Sequence, residues 1–331
     1  MTRRSLRLGT LAVLALFAFG EPAGAVGFQE LTVPDADAPP LRFAVWYPSD
    51  ASPIPRRLGL FTQSVAQDGP IAGSLLPLVV ISHGAGGHGD LHYDTALALA
   101  EAGFVVAAVT HTGDNWRDHS YSFTQRNLVE RPRQLKLALD YLLTTWAGHA
   151  HIAAGRVGAF GHSAGGYTVL IASGGNPDLS LLTAFCREHP DDWGCQRGRE
   201  RAGSAGTSAP LPPVWIHDAR LKAAVIAAPA MGYAFSREGL ASVTAPLQLW
   251  QAEDDRIASD RWNAEAVLAI APETHIVPLA GHFAFLAPCS EALATLVTEI
   301  CQDPPGFDRA GFHAEFNRAV VAFFQRHLPA Q

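Results

Sequence analysis

The sequence lacks several features that mark other classes of protein. It has no excess of positive charge, since 24 Lys and Arg face 31 Asp and Glu for a net charge of −7, so a nucleic-acid partner is not expected. It has no C-x-x-C pair, which argues against a zinc ribbon or a thioredoxin-type redox motif. Its 30 Gly and 23 Pro show no period, and no internal repeat occurs. With 48% hydrophobic residues, the 331-residue chain is instead typical of a globular protein with a large core.

The N-terminal segment has the layout of a secretory signal peptide. Arg3, Arg4 and Arg7 precede an apolar run over residues 8–19, and Ala23-Gly24-Ala25 fits a cleavage site. The run is shorter than the roughly 20 residues that span a bilayer, so no stable membrane anchor is expected. We predict a signal peptide over residues 1–25 and a single domain over 26–331, exported to the periplasm or secreted. The paired arginines leave a twin-arginine route open, but the Sec route is favoured, and an uncleaved anchor is the alternative.

The four cysteines agree with export. They form two local pairs, 9 and 12 residues apart, and pairing within each gives disulfides Cys186–Cys195 and Cys289–Cys301. Disulfides persist in oxidising compartments such as the periplasm. Free buried thiols are the alternative.

Apolar runs that alternate with helical patterns predict an α/β fold. We expect a mostly parallel, doubly wound sheet with helices on both faces. The predicted strands lie at 42–47, 77–82, 104–110, 156–160, 221–227, 246–251 and 274–278. The predicted helices lie at 91–102, 132–146, 164–172 and 311–328, and residues 49–76 are predicted to be a loop. Residues 175–217 break the alternation and are interpreted as an insertion near the active site, either a lid or a surface excursion without a role in binding.

Gly161-His162-Ser163-Ala164-Gly165 is a G-x-S-x-G pattern between a predicted strand and a predicted helix. This context is typical of a nucleophile elbow, in which a strained turn exposes a serine hydroxyl above the sheet. The glycines at 161 and 165 are needed because the backbones crowd there. A plain glycine-rich turn is the alternative interpretation.

A serine nucleophile needs a base, and the base needs an orienting acid. For this elbow the chain order is serine, acid, histidine, and the acid follows a late strand. Three adjacent carboxylates, residues 253–255, follow the strand at 246–251, and His282 follows the strand at 274–278. His313 and His327 lie on the last predicted helix and fit the base role poorly. The order Ser163, Asp255, His282 is therefore expected, with Asp254 left open at this point.

Backbone donors for an oxyanion are predicted at Ala164, directly after the serine, and at Ala85 in the glycine-rich segment His83-Gly84-Ala85-Gly86-Gly87. His83 is expected to hold this segment by hydrogen bonding rather than to act as a base. The segment lacks the Lys-Ser/Thr of a phosphate-binding loop. His88 and His92 are spaced like metal ligands on a helix, but no glutamate base accompanies them, so we predict no metal and no cofactor.

Two further segments, Ala44-Val45-Trp46-Tyr47-Pro48 and Gly281-His282-Phe283-x-Phe285-Leu286-x-Pro288-Cys289, extend these motifs. Together they resemble the bacterial predicted dienelactone hydrolases, a group of the α/β-hydrolase superfamily related to platelet-activating-factor acetylhydrolases. The resemblance covers about residues 27–328. In that group the acid is followed by one residue and then Val or Ile, which Asp255-Arg256-Ile257 fits and Asp254 does not.

The resemblance implies an α/β-hydrolase fold and a catalytic domain over residues 26–331. True dienelactone hydrolases use a cysteine nucleophile, so Ser163 implies ordinary esters instead. The expected activity is that of an exported serine esterase acting on a small-molecule ester, with short- to medium-chain acyl groups preferred. Lipase, phospholipase or polyesterase activity, an amidase or peptidase, and a non-catalytic binding protein are the alternatives. The sequence leaves the oligomeric state open, and a monomer is compatible with it.

Overall fold

The protein is built on a ten-stranded mixed sheet. The structure, a computed structural model, describes residues 24–204 and 214–330, so most of the predicted signal peptide lies outside the described residues. The strand order is β10-β9-β8-β7-β5-β6-β2-β1-β4-β3. The strands are β1 Ala25–Val33, β2 Leu41–Ser49, β3 Ile54–Leu58, β4 Phe61–Gln67, β5 Leu76–Ser82, β6 Val105–Thr110, β7 Ile152–His162, β8 Leu221–Ala227, β9 Leu247–Ala252 and β10 Glu273–Val277.

The six strands from β10 to β6 are parallel, and the antiparallel strands are added at the other edge. Helices cover both faces: α1 Tyr93–Glu101, α2 Gln125–Thr144, α3 Ala164–Ala172, α4 Leu179–Glu188, α5 Trp193–Ser204, α6 Asp260–Asn263, α7 Glu265–Leu268, α8 Glu291–Leu296, α9 Thr298–Cys301 and α10 Arg309–His327. The predicted α/β-hydrolase fold class is confirmed.

Two hydrophobic cores lie on opposite faces of the sheet because side chains alternate along each strand. In β5, Leu78 and Val80 join the core that α2 and α3 cover. Val79 and Ile81 join the core that α1 and α10 cover. Strands buried on both faces read as continuous apolar runs, which is why the central strands are visible in the sequence.

The prediction of a loop over residues 49–76 is wrong, because the segment contains β3 and β4. These strands form an antiparallel hairpin at the edge of the sheet. β4 alternates between buried and exposed positions, but one of its buried residues is Gln63, which accepts a hydrogen bond from the indole of Trp46 at 2.9 Å. Because this buried residue is polar, it interrupts the alternation of apolar and polar residues that would indicate a strand. Strand β1, which pairs with β2, is also absent from the predicted strands.

Helix α2 begins earlier than the prediction at Pro132. Its N-cap is Thr124, whose side chain accepts a hydrogen bond from the backbone N–H of Asn127, and Pro132 lies inside the helix. In its first turns the buried face alternates Leu128 with the polar Asn127 and Arg131, so a continuous apolar stripe is visible in the sequence only from Leu135.

The insertion over residues 175–217 contains two helices, α4 and α5, where the sequence suggested irregular structure. The Cys186–Cys195 disulfide joins them, and residues 205–213 lie outside the described residues. A second disulfide, Cys289–Cys301, closes the segment that contains α8 and α9. Both disulfides join the cysteines that the sequence analysis pairs. Within residues 24–204 and 214–330, no helix is long and apolar enough to cross a membrane.

Candidate active site

Ser163 lies at a sharp turn between β7 and α3. Its φ of 55° and ψ of −120° are strained for a non-glycine residue. A Cβ on Gly165 would lie 1.9 Å from the carbonyl oxygen of Ser82, and one on Gly161 would lie 2.2 Å from the carbonyl oxygen of Gly165. Only glycine fits at these two positions, as the sequence motif predicts.

The turn brings Ser163 to two residues that are distant in sequence. The hydroxyl oxygen of Ser163 lies 2.9 Å from Nε2 of His282. On the other side of the ring, Nδ1 lies 2.7 Å from Oδ2 of Asp255. Asp255 follows β9 and His282 follows β10, at the carboxyl ends of parallel strands, where functional groups of open α/β sheets collect. The structure therefore brings together the three residues predicted to act on the substrate.

The carboxylate of Asp255 is fully buried and accepts three N–H groups. Besides His282, the backbone N–H groups of Ile257 and Ala258 donate to Oδ1 at 2.9 and 2.7 Å. Burial by itself would raise the pKa of Asp255, but His282 and the two backbone donors outweigh burial and hold this pKa below its ordinary value. Asp254 is half exposed and pairs with Arg256 instead.

Two further histidines hold the segment that carries His282. Nε2 of His162 lies 3.1 Å from the carbonyl oxygen of His282. Nε2 of His313 lies 2.8 Å from the carbonyl oxygen of Ala284, and its Nδ1 lies 2.6 Å from the carboxylate of Asp94. The two ring nitrogens of His313 thus bridge the carboxylate of Asp94 and the backbone that follows His282. No motif in the sequence indicates that His162 and His313 support His282.

The segment over residues 83–87, called the 83–87 loop below, lies against the serine. A Cβ on Gly84 would be 3.3 Å from Cβ of Ser163. The N–H groups of Ala85 and Ala164, the predicted oxyanion donors, have no acceptor among the described residues. His83 lies behind the loop, where its Nε2 accepts the backbone N–H of His111 at 3.1 Å. Its Nδ1 therefore carries the hydrogen and donates to the Gly84 carbonyl at 2.6 Å.

A buried ion pair beneath this loop was not predicted from the sequence. Nη1 of Arg131 donates to Oδ2 of Asp114 at 2.7 Å, and both side chains are inaccessible to solvent. Asp114 also accepts hydrogen bonds from Ser122, Asn127 and the backbone N–H of Gly86. The spacing of Asn127, Arg131 and Gln134, on one face of an amphipathic helix, is the signal that could have revealed it.

The Ser163 hydroxyl faces a cleft of about 760 Å³. One wall is formed by Trp193 and Arg197 of α5, within the insertion. Other lining residues are Leu293, Leu296 and Val297 of the second disulfide-closed segment. The β3–β4 turn and the loop after β6 also contribute. The insertion therefore borders the site.

His88 and His92, the two histidines spaced like metal ligands, lie in different environments. His88 lines the cleft and lies 3.1 Å from Asp90, whereas His92 is buried against the rings of Phe160 and His162. In the part of the chain that the structure describes, no three metal-ligating side chains come together.

Comparison with known proteins agrees with this architecture. The family model of platelet-activating factor acetylhydrolase, isoform II, matches residues 57–145, which include the 83–87 loop and Arg131 but not Ser163. A solved ferulic acid esterase from Streptomyces cinnamoneus superposes with a TM-score of 0.63 over 94% of this chain and 93% of that chain, at 19% identity. A search among curated proteins found no significant match. The chain is therefore an α/β-hydrolase-fold protein that is similar to the platelet-activating-factor acetylhydrolase group.

Proposed function

We propose that the protein is a serine hydrolase that cleaves carboxylic esters. The observation that carries the proposal is the hydrogen-bonded series from Ser163 through His282 to the buried Asp255, at a strained turn that faces an open cleft. A buried carboxylate, an imidazole and a hydroxyl in this order form the arrangement that activates serine for acyl transfer.

In the first half of the reaction, the Ser163 oxygen attacks the ester carbonyl carbon while Nε2 of His282 takes the hydroxyl proton. Asp255 stabilises the resulting imidazolium, with which it shares the Nδ1 hydrogen. The negative charge moves to the carbonyl oxygen, where the N–H groups of Ala85 and Ala164 act as donors. His282 then gives its proton to the departing alcohol, and an acyl-serine remains.

In the second half, a water molecule loses a proton to His282 and attacks the acyl carbon. The same two N–H groups hold the second oxyanion. Collapse of this intermediate breaks the bond to Ser163, which recovers the proton from His282, and the carboxylic acid leaves. The residues named here need no cofactor or metal for these steps.

The comparisons support ester hydrolysis as the reaction. Both similar proteins carry esterase-type names, an acetylhydrolase and a ferulic acid esterase. The cleft of about 760 Å³ is large enough for a small ester with a short- to medium-chain acyl group. We assign such esters as the substrate class, because a soluble monomeric ester can reach Ser163 from this side.

The test is hydrolysis of p-nitrophenyl esters from acetyl to palmitoyl by wild type, Ser163→Ala and the control Ser64→Ala. Ser64 is an exposed residue of β4 that does not line the cleft. We expect Ser163→Ala to lose at least about 1000-fold in kcat on every ester, and Ser64→Ala to remain within twofold of wild type. A folded wild type without activity on any chain length, or an active Ser163→Ala protein, would overturn the proposal. Faster cleavage of matched amides or of emulsified long-chain esters would replace it with a peptidase or a lipase.

We further propose that the protein works outside the cytoplasm. Two disulfides support this location, since they are rare in reducing compartments. The predicted signal peptide over residues 1–25 would direct the export. N-terminal sequencing of the exported protein would locate the cleavage site, and protein found only in the cytoplasm would contradict the proposal.

A further inference from the structure

The guanidinium of Arg131 contacts both segments that carry the proposed oxyanion donors. One of its nitrogens donates to the carbonyl oxygen of His83, at the start of the 83–87 loop. Nε donates to the hydroxyl of Thr168 at 3.0 Å, and this hydroxyl donates to the carbonyl oxygen of Ala164 at 2.9 Å. One rigid, planar group therefore links the loop that carries Ala85 to the helix turn that begins with Ala164.

Asp114 fixes the same loop from its other end. Its Oδ1 accepts the backbone N–H of Gly86 at 2.9 Å, while its Oδ2 accepts Arg131. The N–H of Gly87 is bound to the carbonyl of Gly84 at 3.2 Å. Of the three consecutive N–H groups over residues 85–87, Ala85 alone keeps its hydrogen free of any acceptor among the described residues. Asp114 thus occupies the N–H of Gly86, next to that of Ala85, and leaves the N–H of Ala85 available to a substrate.

The burial of this pair is not explained by stability alone. Arg131 and Asp114 are 1% and 0% exposed, and the cost of removing two charges from water offsets most of their attraction. Their contacts to His83, Gly86 and Thr168 are instead made to segments that carry or flank an oxyanion donor, while Ser122 and Asn127 occupy the remaining acceptor positions of Asp114. A buried, hydrogen-bonded network of this kind holds backbone groups in one geometry.

We propose that Arg131 and Asp114 are positioning residues that set the separation and direction of the Ala85 and Ala164 N–H groups toward the oxyanion. The inference rests on the proposed function. It follows that disturbing the pair weakens binding of the transition state more than binding of the substrate.

The experiment compares Arg131→Lys and Asp114→Asn with the control Arg133→Lys. Arg133 lies two residues further along α2, and its ion pairs are with Asp35 and Glu130. Titration of Ser163 with a fluorophosphonate counts the active sites, so kcat is measured per competent molecule. We expect kcat of the first two variants to fall about 10- to 100-fold with KM within twofold, below the loss for deleting a whole oxyanion donor. Arg133→Lys should keep wild-type kcat.

A second readout separates positioning from a general structural role. A boronic acid that forms a tetrahedral adduct with serine should bind more weakly in proportion to the loss of kcat/KM, while a non-reactive substrate analogue should bind unchanged. If Arg131→Lys and Asp114→Asn do not fold, Thr168→Val takes their place, because it removes only the hydroxyl that links Arg131 to α3. We expect its kcat to fall about threefold or more.

The outcomes are distinguishable. If Arg131→Lys has the wild-type kcat per titrated site, the positioning role is overturned and the esterase proposal stays intact. If Arg131→Lys does not fold, the same result in Thr168→Val has the same meaning. A wild type that neither hydrolyses esters nor is labelled at Ser163 overturns the proposed function, and the inference with it.

Discussion

Replacing Asp255 by asparagine should inactivate the enzyme without removing any atom from the core. Both carboxylate oxygens accept N–H donors, Oδ2 from His282 and Oδ1 from Ile257 and Ala258. An amide has one accepting oxygen, so its NH₂ group must face one of these donors. If the NH₂ group faced the two backbone N–H groups, donors would meet donors and two contacts would be unsatisfied. We therefore expect the NH₂ group to face the ring of His282.

The ring must then accept at Nδ1 and carry its hydrogen on Nε2, where it cannot take the proton of Ser163. We expect kcat to fall about 10³- to 10⁴-fold, which is ~4–5.5 kcal/mol of transition-state stabilisation at about 1.4 kcal/mol per factor of ten. The assay is p-nitrophenyl ester hydrolysis with KM determined separately, and we expect little change in KM.

The matched control is Asp254→Asn. Among the described residues, the carboxylate of Asp254 bonds only the exposed Arg256, so kcat of this variant should stay within twofold of wild type. An equal loss in both variants would refute the reasoning, as would an Asp255→Asn protein with more than a tenth of wild-type activity.

Three further predictions concern stability and local order. Burial lowers the pKa of His92 from 6.5 to about 4, so between these pH values the unfolded chain binds a proton that the folded protein does not bind. This group should therefore lower the free energy of unfolding by about 3 kcal/mol between pH 6.5 and 4. Urea unfolding of His92→Phe at several pH values should lack this part of the pH dependence. Gly165→Ala places a Cβ against a backbone oxygen of β5 and should lower the free energy of unfolding in urea by about 1–3 kcal/mol. Gly198→Ala, in an open part of α5, should not destabilise the protein. Equal effects of the two substitutions would contradict the steric explanation. Reducing Cys289–Cys301 should speed hydrogen exchange in α8 and α9 while leaving β5 and β7 protected, and uniform loss of protection would show a global effect instead.

The central fold and the three site residues could be predicted because their signals are local. Strands buried on both faces appear as apolar runs, and a G-x-S-x-G turn between a strand and a helix has few other uses. His282 and the acidic residues follow such strands directly. The choice of Asp255 over Asp254 came only from family resemblance, and the structure places Asp255, not Asp254, against the histidine.

The missed features all depend on contacts between distant segments. Gln63 is polar and buried because it bonds Trp46, which conceals β4. Arg131 and Asp114 are charged and buried because each neutralises the other. Charged residues usually lie on the surface, so the sequence suggests exposed positions where the structure has buried ones. The position of His313 depends on Asp94, 219 residues away in sequence. A helical spacing can mark a polar face, as at Asn127, Arg131 and Gln134, but a single sequence does not say which distant residue is the partner.

The order of strands has a consequence for how the site comes into existence. Ser163 and His282 are 119 residues apart, and the strands that precede them, β7 and β10, are connected in the sheet only through β8 and β9, which lie between them. Contacts of such long range form late and together, after the loops between them have closed. A compact intermediate with native helices but an unfinished sheet would have normal helix content and no working site. Ester hydrolysis by this protein would therefore report completion of the sheet, which circular dichroism of the helices would not.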